Sequence, residues 1–423
     1  MSRKVLFVTY GGGHVSMVLP VIRQLRLLAP DIECVLMALT TAYGIAKNAG
    51  EQPLGYKDFL HLVDEGQALQ WGASLLGTNI SPDVSREESI AYLGINYLDL
   101  IAQRGQAGAA QLYAEKGRYG FAPLRFMYQL MGAIKPDVVV ATNSPRSEEA
   151  ALEVAIGCGV PSVGMVDLFG LDRDPYVFRD NKPDWTCVIS EIVKQRLVAR
   201  GFDASRVVAT GNPAFDGLFS AENKRNAANF IERQGWGELS PILWAGHKEA
   251  VGVGLNDART GHEFALEVEA ALREFVRKRS ESALIVRYHP NEWHTFARLK
   301  PQARVHFSVP SLEPIHPMIL AAKIVVVQNS TVGLEAAVAG VPVVSLEYAP
   351  SVEGSFSLAQ MLVTTPCHFA EDLPGILDGL SVAKTPIPTQ YASDAKASAR
   401  VASVIATAMR AMVSSHLFTA NFS

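Results

Sequence analysis

The sequence predicts an α/β protein built from two doubly wound, Rossmann-like domains that face each other across a cleft. Short apolar runs rich in β-branched residues alternate with longer stretches of helical periodicity, and this alternation is typical of parallel sheets. It stops at residues 218–240, which are rich in Asn, Glu, Arg and Gly, and then starts again. At 423 residues the chain is also too long for one ordinary hydrophobic core.

Ten apolar runs are predicted as strands, and their continuous apolar character favours burial on both faces. They span residues 5–10, 33–39, 137–142, 161–167 and 185–191 in the first half, and 241–246, 283–289, 303–308, 323–330 and 341–348 in the second. We therefore expect an N-terminal domain over 1–217, a linker over 218–240 and a C-terminal domain over 241–390. A C-terminal helix and tail would occupy 391–423.

Residues 55–130 read as a helical insertion in the first domain. The stretch is rich in aromatic residues: Tyr92, Tyr97, Tyr113, Phe121, Phe126 and Tyr128. We expect the insertion to cover or widen the cleft on the side of the first domain. Residues 394–413 form an amphipathic helical pattern, which we expect to pack across both domains.

Composition excludes several classes of protein. The formal charge is −4 and there is no basic block, so no nucleic-acid partner is expected. Four separated cysteines without a C-x-x-C pair argue against a zinc site and a disulfide framework, and fit a reducing cytosol. The first apolar run is too short for a secretion signal, and no run is long enough to span a membrane. We expect a cytoplasmic protein without a metal site; contact with the inner face of the membrane and the oligomeric state stay open.

The stretch "VVVQNSTVGLEAAVAGVPVVSLEY" (325–348) predicts a nucleotide-diphosphate site. A buried strand ends there and a helix begins at Ser330 and Thr331, so free backbone N–H groups and the helix dipole favour an anion. Gly333 would allow close approach of a ligand, and Glu335 would reach a ribose or sugar hydroxyl. The alternative is an ordinary helix-capping arrangement.

Two further strand ends in the second half carry basic side chains. In "WAGHKEAVG" (244–252), His247 and Lys248 together would neutralise a diphosphate; the alternative is an exposed charged turn. In "VRYHPNEW" (286–293), Arg287 and His289 would contact phosphate oxygens; the alternative is a solvated histidine at a strand end.

The loop "YGGGHVSMVLP" (10–20) connects the first strand to the first helix. It lacks the G-x-G-x-x-G pattern, so a nicotinamide site is not supported. Gly12 and Gly13 would give room to an acceptor. The dipole at this helix start disfavours the charged form of His14, and a neutral imidazole suits a general base. Asp167 ends a strand and Glu148 starts a helix, and carboxylates in such positions are more typical of caps than of catalysts.

Three motifs resemble the GT-B superfamily, which includes nucleotide-sugar glycosyltransferases and UDP-N-acetylglucosamine 2-epimerases. They are "TGNPAFD" (210–216), "GHKEA" (246–250) and "NSTVGLEAAVAGVPVV" (329–344). The resemblance implies that Ser330, Thr331 and Glu335 bind the donor and that His247 contacts the diphosphate or lies on the catalytic side. "RYHPNE" also resembles the His-Pro motif of bacterial capsule and teichoic-acid polymer transferases, which implies that His289 contacts nucleotide phosphates.

The sequence departs from the epimerases where their chemistry resides. Their Gly-Thr-Arg-Pro-Glu-like loop corresponds to residues 10–14 here, without the arginine and glutamate. Their Gly-Asp-Thr aspartate is replaced by the stretch 142–145, and their His-Val-Glu-Ala-Gly glutamate corresponds approximately to Asp167. "GGGHVSMVLP" instead resembles the first loop of inverting glycosyltransferases, in many of which the histidine deprotonates the acceptor hydroxyl. The resemblance implies His14 as the base. Some members use an aspartate elsewhere as the base, which makes Asp167 the reserve.

The sequence-based prediction is therefore a metal-independent glycosyltransferase of bacterial cell-surface polysaccharide or glycoconjugate synthesis. Its donor would be a nucleotide sugar, with UDP as the favoured nucleotide, and its acceptor a glycan or a lipid-linked molecule. No cofactor beyond the substrate is expected. The alternative is an isomerase or hydrolase of a UDP-amino sugar, similar to UDP-N-acetylglucosamine 2-epimerase.

Overall fold

A computed structural model describes residues 3–77, 84–167, 176–249, 260–290, 292–328, 330–352, 357–361, 364–382 and 394–420. The chain divides into two compact units. The N-terminal unit comprises Met1–Ala214 together with Lys396–Ser423, and the C-terminal unit comprises Phe215–Ala395. Within the described ranges, no helix combines the length and the apolar character needed to cross a membrane.

The N-terminal unit alternates strands and helices, with one long helical stretch between its second and third strands. Its elements are β1 (Arg3–Tyr10), α1 (Gly11–Leu28), β2 (Ile32–Leu39), α2 (Thr41–Asn48), α3 (Glu65–Leu76), α4 (Arg86–Lys116), α5 (Leu124–Ile134), β3 (Val138–Thr142), α6 (Ser147–Gly157), β4 (Ser162–Met165), β5 (Trp185–Val188), α7 (Glu191–Ala199) and β6 (Val207–Ala209). 3₁₀ helices occupy Tyr56–Leu62, Gly117–Gly120 and Pro213–Phe219.

The C-terminal unit repeats the same alternation, and the last helix returns to the first unit. The elements are α8 (Ala221–Gln234), β7 (Ser240–Gly246), α9 (Glu263–Lys278), β8 (Ser282–Tyr288), β9 (Val305–Phe307), α10 (Ile315–Ala321), β10 (Ile324–Val327), α11 (Thr331–Val338), β11 (Val343–Leu346), β12 (Thr365–Cys367), α12 (Leu373–Val382) and α13 (Ala397–Ala420). 3₁₀ helices occupy Trp293–Thr295, Leu358–Met361 and Ala370–Asp372.

The described strands form two parallel six-stranded sheets, in the orders β2-β1-β3-β4-β5-β6 and β12-β11-β10-β7-β8-β9. Alternation along β1 explains why the first sheet is covered on both faces: Leu6 and Val8 point into one hydrophobic cluster, Val5 and Phe7 into another. Helices α1 and α13 pack against the second of these faces. The predicted fold class, two doubly wound Rossmann-like domains, is confirmed.

Side-chain caps explain where several helices begin. An oxygen of the residue before the helix accepts a backbone N–H from the first turn of α3, α4, α7, α8 and α11; the capping residues are Asp64, Ser85, Ser190, Ser220 and Ser330. Such a cap stabilises a helix by about 1 kcal/mol. These positions therefore fix where the five helices begin.

Four aromatic residues of the helical stretch over 55–130 are buried in the core of the N-terminal unit. Tyr92, Tyr97, Phe121 and Phe126 are at most 8% exposed and belong to the hydrophobic cluster on one face of the first sheet. The ring of Phe126 stacks on that of Tyr56 with centroids 4.9 Å apart. These four buried rings form the core that holds α3, α4 and α5 to the sheet.

The ends of the domains also differ from the prediction. The units divide at residues 214–215 rather than at 217. Residues 218–240, interpreted as a linker, contain α8, which buries Ala227 and Phe230 within the C-terminal unit. Helix α13 packs on the N-terminal unit, where Val401 and Ile405 join the cluster of α1, although we expected it to pack across both domains. Residues 391–393 and 421–423 of the predicted tail lie outside the described ranges.

Candidate functional site

Each sheet has one point at which the order of its strands reverses. In the first sheet the chain moves from β1 to β2 on one side and through β3 to β6 on the other, so the reversal lies between β1 and β3. In the second sheet it lies between β7 and β10. Ligands of open α/β sheets bind outside the carboxyl ends of the strands at such points. The predicted site residues lie at or after the carboxyl ends of these strands and of their neighbours β4 and β8.

The first candidate site is a cluster of four side chains, called here the His14 cluster: His14, Thr142, Glu148 and Asp167. His14 Nδ1 lies 2.6 Å from Thr142 Oγ1, and the Thr142 hydroxyl donates to Glu148 Oε1. His14 Nε2 lies 3.4 Å from Asp167 Oδ2. The imidazole therefore lies between two carboxylates, one reached directly and one through a hydroxyl.

Parallel pairing brings these residues together from distant parts of the sequence. Val8 of β1 pairs with Ala141 of β3, and Thr142 pairs with Met165 of β4, so the three strands end at the same edge. The helix start after β1 supplies His14, and the segment after β4 supplies Asp167. The cluster is thus a direct product of the sheet register.

Backbone and amide groups hold both carboxylate residues in place. The Tyr10 N–H donates to Glu148 Oε1 at 3.1 Å, which places the buried carboxylate at the start of α1. The Asp167 N–H donates to Asn143 Oδ1 at 2.9 Å, and the Asn212 amide donates to the Asp167 carbonyl at 3.2 Å. The Asp167 side chain keeps 26% exposure, so it is accessible to a ligand.

The charge state of His14 is opposite to the one predicted from the helix dipole. Burial lowers the pKa of His14, but hydrogen bonds and charge from Asp167 and Glu148 outweigh burial and raise it to about 10. The ring is therefore protonated at neutral pH. The prediction of a neutral imidazole considered only the helix and missed the two carboxylates. An imidazolium donates protons and stabilises negative charge, whereas Asp167 is the accessible group able to accept a proton.

A cavity of about 250 Å³ lies beside the entry to α1. Its lining includes Tyr10, Gly11 and Thr40, but neither Gly12 nor Gly13, which occupy the first turn of α1. Gly11 has φ +61°, a conformation that favours glycine at this corner. Thr40 adopts φ 56° without being glycine, and such strained residues concentrate at functional sites.

The second candidate site is a cavity of about 250 Å³ at the carboxyl ends of β7 and β10, called here the β7–β10 cavity. Six of the eight residues predicted to bind a donor line it: His247, Arg287, His289, Ser330, Thr331 and Glu335. Lys248 and Gly333 are not in its lining. The backbone N–H of Lys248 donates to Glu292 at 2.9 Å.

A buried glutamine fixes His247 at this edge. The His247 N–H donates to Gln328 Oε1 at 2.9 Å, and the Gln328 amide donates back to the His247 carbonyl at 3.2 Å. His247 Nδ1 lies 2.9 Å from the Lys248 carbonyl, so Nδ1 carries a hydrogen. Nε2 of His247 is buried and has no hydrogen-bond partner among the described residues. Buried polar atoms are normally paired, so this nitrogen is available for a ligand.

Helix α11 begins at the floor of the same cavity. Ser330 caps it by accepting the Val332 N–H at 3.3 Å, so the capping interpretation holds for this serine. Glu335 does not return to the cap; its Oε2 lies 3.0 Å from His316 Nε2. The first-turn N–H groups and the exposed Thr331 thus face the cavity together with a fixed carboxylate.

Gly333 packs closely against the side chains behind α11. A Cβ at this position would lie 2.9 Å from Leu358 Cδ1 and 3.0 Å from Val327 Cγ2. Its contact with a ligand stays a prediction.

Arg287 is engaged with the protein itself. Its Nη1 donates to Ser308 Oγ at 2.8 Å and to the Glu313 carbonyl at 2.7 Å. Burial lowers the pKa of Arg287, and the charges of Glu313 and Glu335 oppose that effect. His289 is exposed and lines the same cavity.

Sequence reasoning missed several residues of both sites. Glu148 was assigned to helix capping, and Thr142 was not considered, although both carry the hydrogen bonds of His14. His316 was not among the predicted site residues. In the described ranges, no group of three or more His, Cys, Asp or Glu side chains is arranged to hold a metal ion. Their positions in the sequence could have indicated them, because each missed residue lies at a strand end or on a helix next to a strand.

Comparison with known proteins identifies the family. A family model described as UDP-N-acetylglucosamine 2-epimerase matches residues 179–406, which is more than half of the chain. No curated protein matches the sequence. Three solved structures share the fold, each with 14% identity over 96% of this chain and 100% of theirs. They are UDP-GlcNAc 2-epimerase from Methanocaldococcus jannaschii (TM-score 0.62), the same enzyme in complex with UDP-GlcNAc and UDP (0.58), and the Neisseria meningitidis enzyme bound to UDP-GlcNAc (0.55). Because the family model covers over half of it, the chain belongs to the UDP-N-acetylglucosamine 2-epimerase family.

Proposed function

We propose that this protein acts on a UDP-N-acetylhexosamine and changes the configuration at C2 of the sugar, with or without release of UDP. The observation that carries the proposal is the β7–β10 cavity. It combines the start of α11, the carboxylate of Glu335 and the Nε2 of His247, which has no partner among the described residues, at a strand-order reversal. Amides and basic nitrogens suit a diphosphate, and a carboxylate suits the ribose hydroxyls. Family membership supports UDP as the nucleotide.

The His14 cluster supplies the acid–base groups of the proposed reaction. The Asp167 carboxylate removes the proton from C2 of the sugar, and the electron pair of that C–H bond forms the C1=C2 double bond. The C1–O bond breaks at the same time, and UDP departs with its electron pair. The His14 imidazolium stabilises the negative charge that develops nearby. Return of UDP to C1 and of a proton to the opposite face of C2 gives the epimer.

Glycosyl transfer, the main prediction from the sequence, has less support than its epimerase alternative. That prediction needed His14 as a neutral base toward an acceptor hydroxyl, whereas the pKa of about 10 makes His14 a proton donor at neutral pH. The proposed reaction needs no acceptor, because the base acts on the sugar itself.

The test is incubation of the protein with UDP-GlcNAc in D₂O without acceptor, followed by NMR and mass spectrometry. We expect deuterium at C2 of the sugar and the appearance of the manno epimer, either bound to UDP or free. Asp167→Asn abolishes the exchange. Asp203→Asn, which changes an exposed carboxylate hydrogen-bonded to Ser205 in the same unit, leaves it intact and serves as the control.

Two results would count against the proposal. One is the absence of deuterium at C2 with intact UDP-GlcNAc, in a protein that transfers sugar once an acceptor is added; this would restore glycosyl transfer. The other is unchanged exchange in Asp167→Asn, which would remove Asp167 from the reaction while keeping the substrate class.

A further inference from the structure

His316 lies beside the β7–β10 cavity but does not line it. It belongs to α10, and its Nε2 lies 3.0 Å from Glu335 Oε2 on α11. The Glu335 side chain is 13% exposed and that of His316 25%. The contact thus joins a largely buried carboxylate of the cavity to a second helix.

A third helix fixes the orientation of the imidazole. The Asn223 amide nitrogen, in the first turn of α8, donates to the Gly217 carbonyl at 2.7 Å and lies 3.4 Å from His316 Nδ1. A carbonyl only accepts, so the amide nitrogen rather than its oxygen faces these two partners. His316 Nδ1 is then an acceptor, and the ring hydrogen sits on Nε2, which donates to Glu335.

This arrangement leaves the two oxygens of Glu335 unequal. Oε2 is held by His316, while Oε1 accepts no hydrogen bond from the described residues. Arg287 also lines the cavity, and its guanidinium interacts electrostatically with the Glu335 carboxylate. A carboxylate held at one oxygen keeps one rotamer, so its second oxygen is presented to a ligand in a fixed direction.

We infer that His316 is a positioning residue that fixes Glu335 to receive the ribose hydroxyls of the nucleotide, and that it thereby makes the site select ribonucleotides over 2′-deoxyribonucleotides. This inference rests on the proposed function, since it concerns the nucleotide of the same substrate. A carboxylate aimed at a diol loses one hydrogen bond when the 2′-hydroxyl is absent. A site built around such a hydrogen bond discriminates strongly against the analogue that lacks it.

The alternative is that His316 only connects α10 to α11. In that case its removal would lower stability and weaken all nucleotides equally. The fixed-carboxylate model instead predicts a change in the ratio of two affinities, which general loosening of the cavity does not produce. The ratio is therefore the informative quantity.

The experiment measures UDP and 2′-deoxy-UDP binding by titration calorimetry. We expect the wild-type protein to prefer UDP by about tenfold or more. In His316→Ala the affinity for UDP falls by roughly that factor while the affinity for 2′-deoxy-UDP changes little, so the preference collapses. His316→Gln, whose amide can still donate to Glu335, restores most of the preference.

His262→Ala is the matched control. His262 bonds to Thr295 Oγ1 at 2.8 Å in the same unit and does not line the cavity, so both affinities should stay at wild-type values. Urea unfolding of each variant shows whether the fold is retained, and the Gln variant keeps the test valid if the Ala variant unfolds.

The outcomes separate the two proposals. If the wild-type protein binds UDP and His316→Ala keeps the wild-type preference, the positioning role is overturned and the proposed function stands. A wild-type protein that binds UDP and 2′-deoxy-UDP equally also overturns it. If the wild-type protein binds no UDP at all, the proposed function itself fails.

Discussion

The most direct test of the His14 cluster is to neutralise both carboxylates with Glu148→Gln and Asp167→Asn. These two residues are the source of every contribution that raises the pKa of His14 to about 10. Without them only burial remains, and burial disfavours the charged ring. The pKa of His14 should then fall below the ordinary value of 6.5. Each single variant should give an intermediate value.

The same change has a calculable effect on stability. A pKa raised from 6.5 to about 10 corresponds to roughly 5 kcal/mol of preference for the charged ring in the folded chain. Because the folded-state pKa is the higher one, this contribution is complete below pH 6.5 and is lost as the pH rises toward about 10. The free energy of unfolding of the wild-type protein, relative to that of the double variant, should therefore decrease across this window.

Two measurements check the prediction. NMR titration of the His14 ring, assigned by comparison with a His14→Gln variant, gives the pKa directly. Urea unfolding at a series of pH values gives the stability difference. A wild-type His14 that titrates near 6.5, or a stability difference that does not change with pH, would refute the electrostatic reasoning.

Three further perturbations test the packing and the β7–β10 cavity. Gly333→Ala should lower the free energy of unfolding by about 1–3 kcal/mol because its Cβ meets Val327 and its neighbours, and an unchanged urea midpoint would contradict this. Phe126→Ala, which empties a fully buried position, should cost about 3–5 kcal/mol, whereas Tyr128→Ala at 64% exposure should cost little; equal effects would be inconsistent with the assigned core. His247→Ala removes the unpartnered Nε2 and should weaken UDP binding about tenfold or more by calorimetry, and wild-type affinity would exclude His247 as a contact.

The strands could largely be predicted from the sequence because ten of them carry continuous apolar runs. The two that were missed, β6 (Val207–Ala209) and β12 (Thr365–Cys367), have three residues each. A three-residue edge strand contains few positions for a pattern, and of the three such strands only β9 (Val305–Phe307) was predicted. The linker assignment failed for a related reason. Helix α8 is polar on most of its surface and buries only a narrow stripe, so its composition resembles that of a loop.

The location of the candidate site residues at strand ends could be predicted from the sequence, but the charge state of His14 could not. Strand ends followed by glycine, serine or histidine marked both sites, because carboxyl ends of parallel strands meet at one edge. The hydrogen-bond partners of His14 could not be predicted from the sequence, since Thr142 lies 128 positions away. The Thr142 hydroxyl in turn donates to Glu148. A pKa depends on which side chains meet in space, and local sequence contains only the helix dipole. The same limit concealed the pairing of His316 with Glu335.

The return of α13 to the N-terminal unit has a consequence for how the chain is synthesised. Val401, Ile405 and Met409 complete the cluster that buries Val5 and Phe7, yet they follow the whole of Phe215–Ala395. At about 5–20 residues per second, the ribosome finishes the intervening segment roughly 10–40 seconds after the rest of the first unit has emerged. During that interval the apolar face of α1 lacks its cover, so the later unit can fold before the earlier one is complete. The nascent chain therefore leaves this apolar surface uncovered until α13 is made.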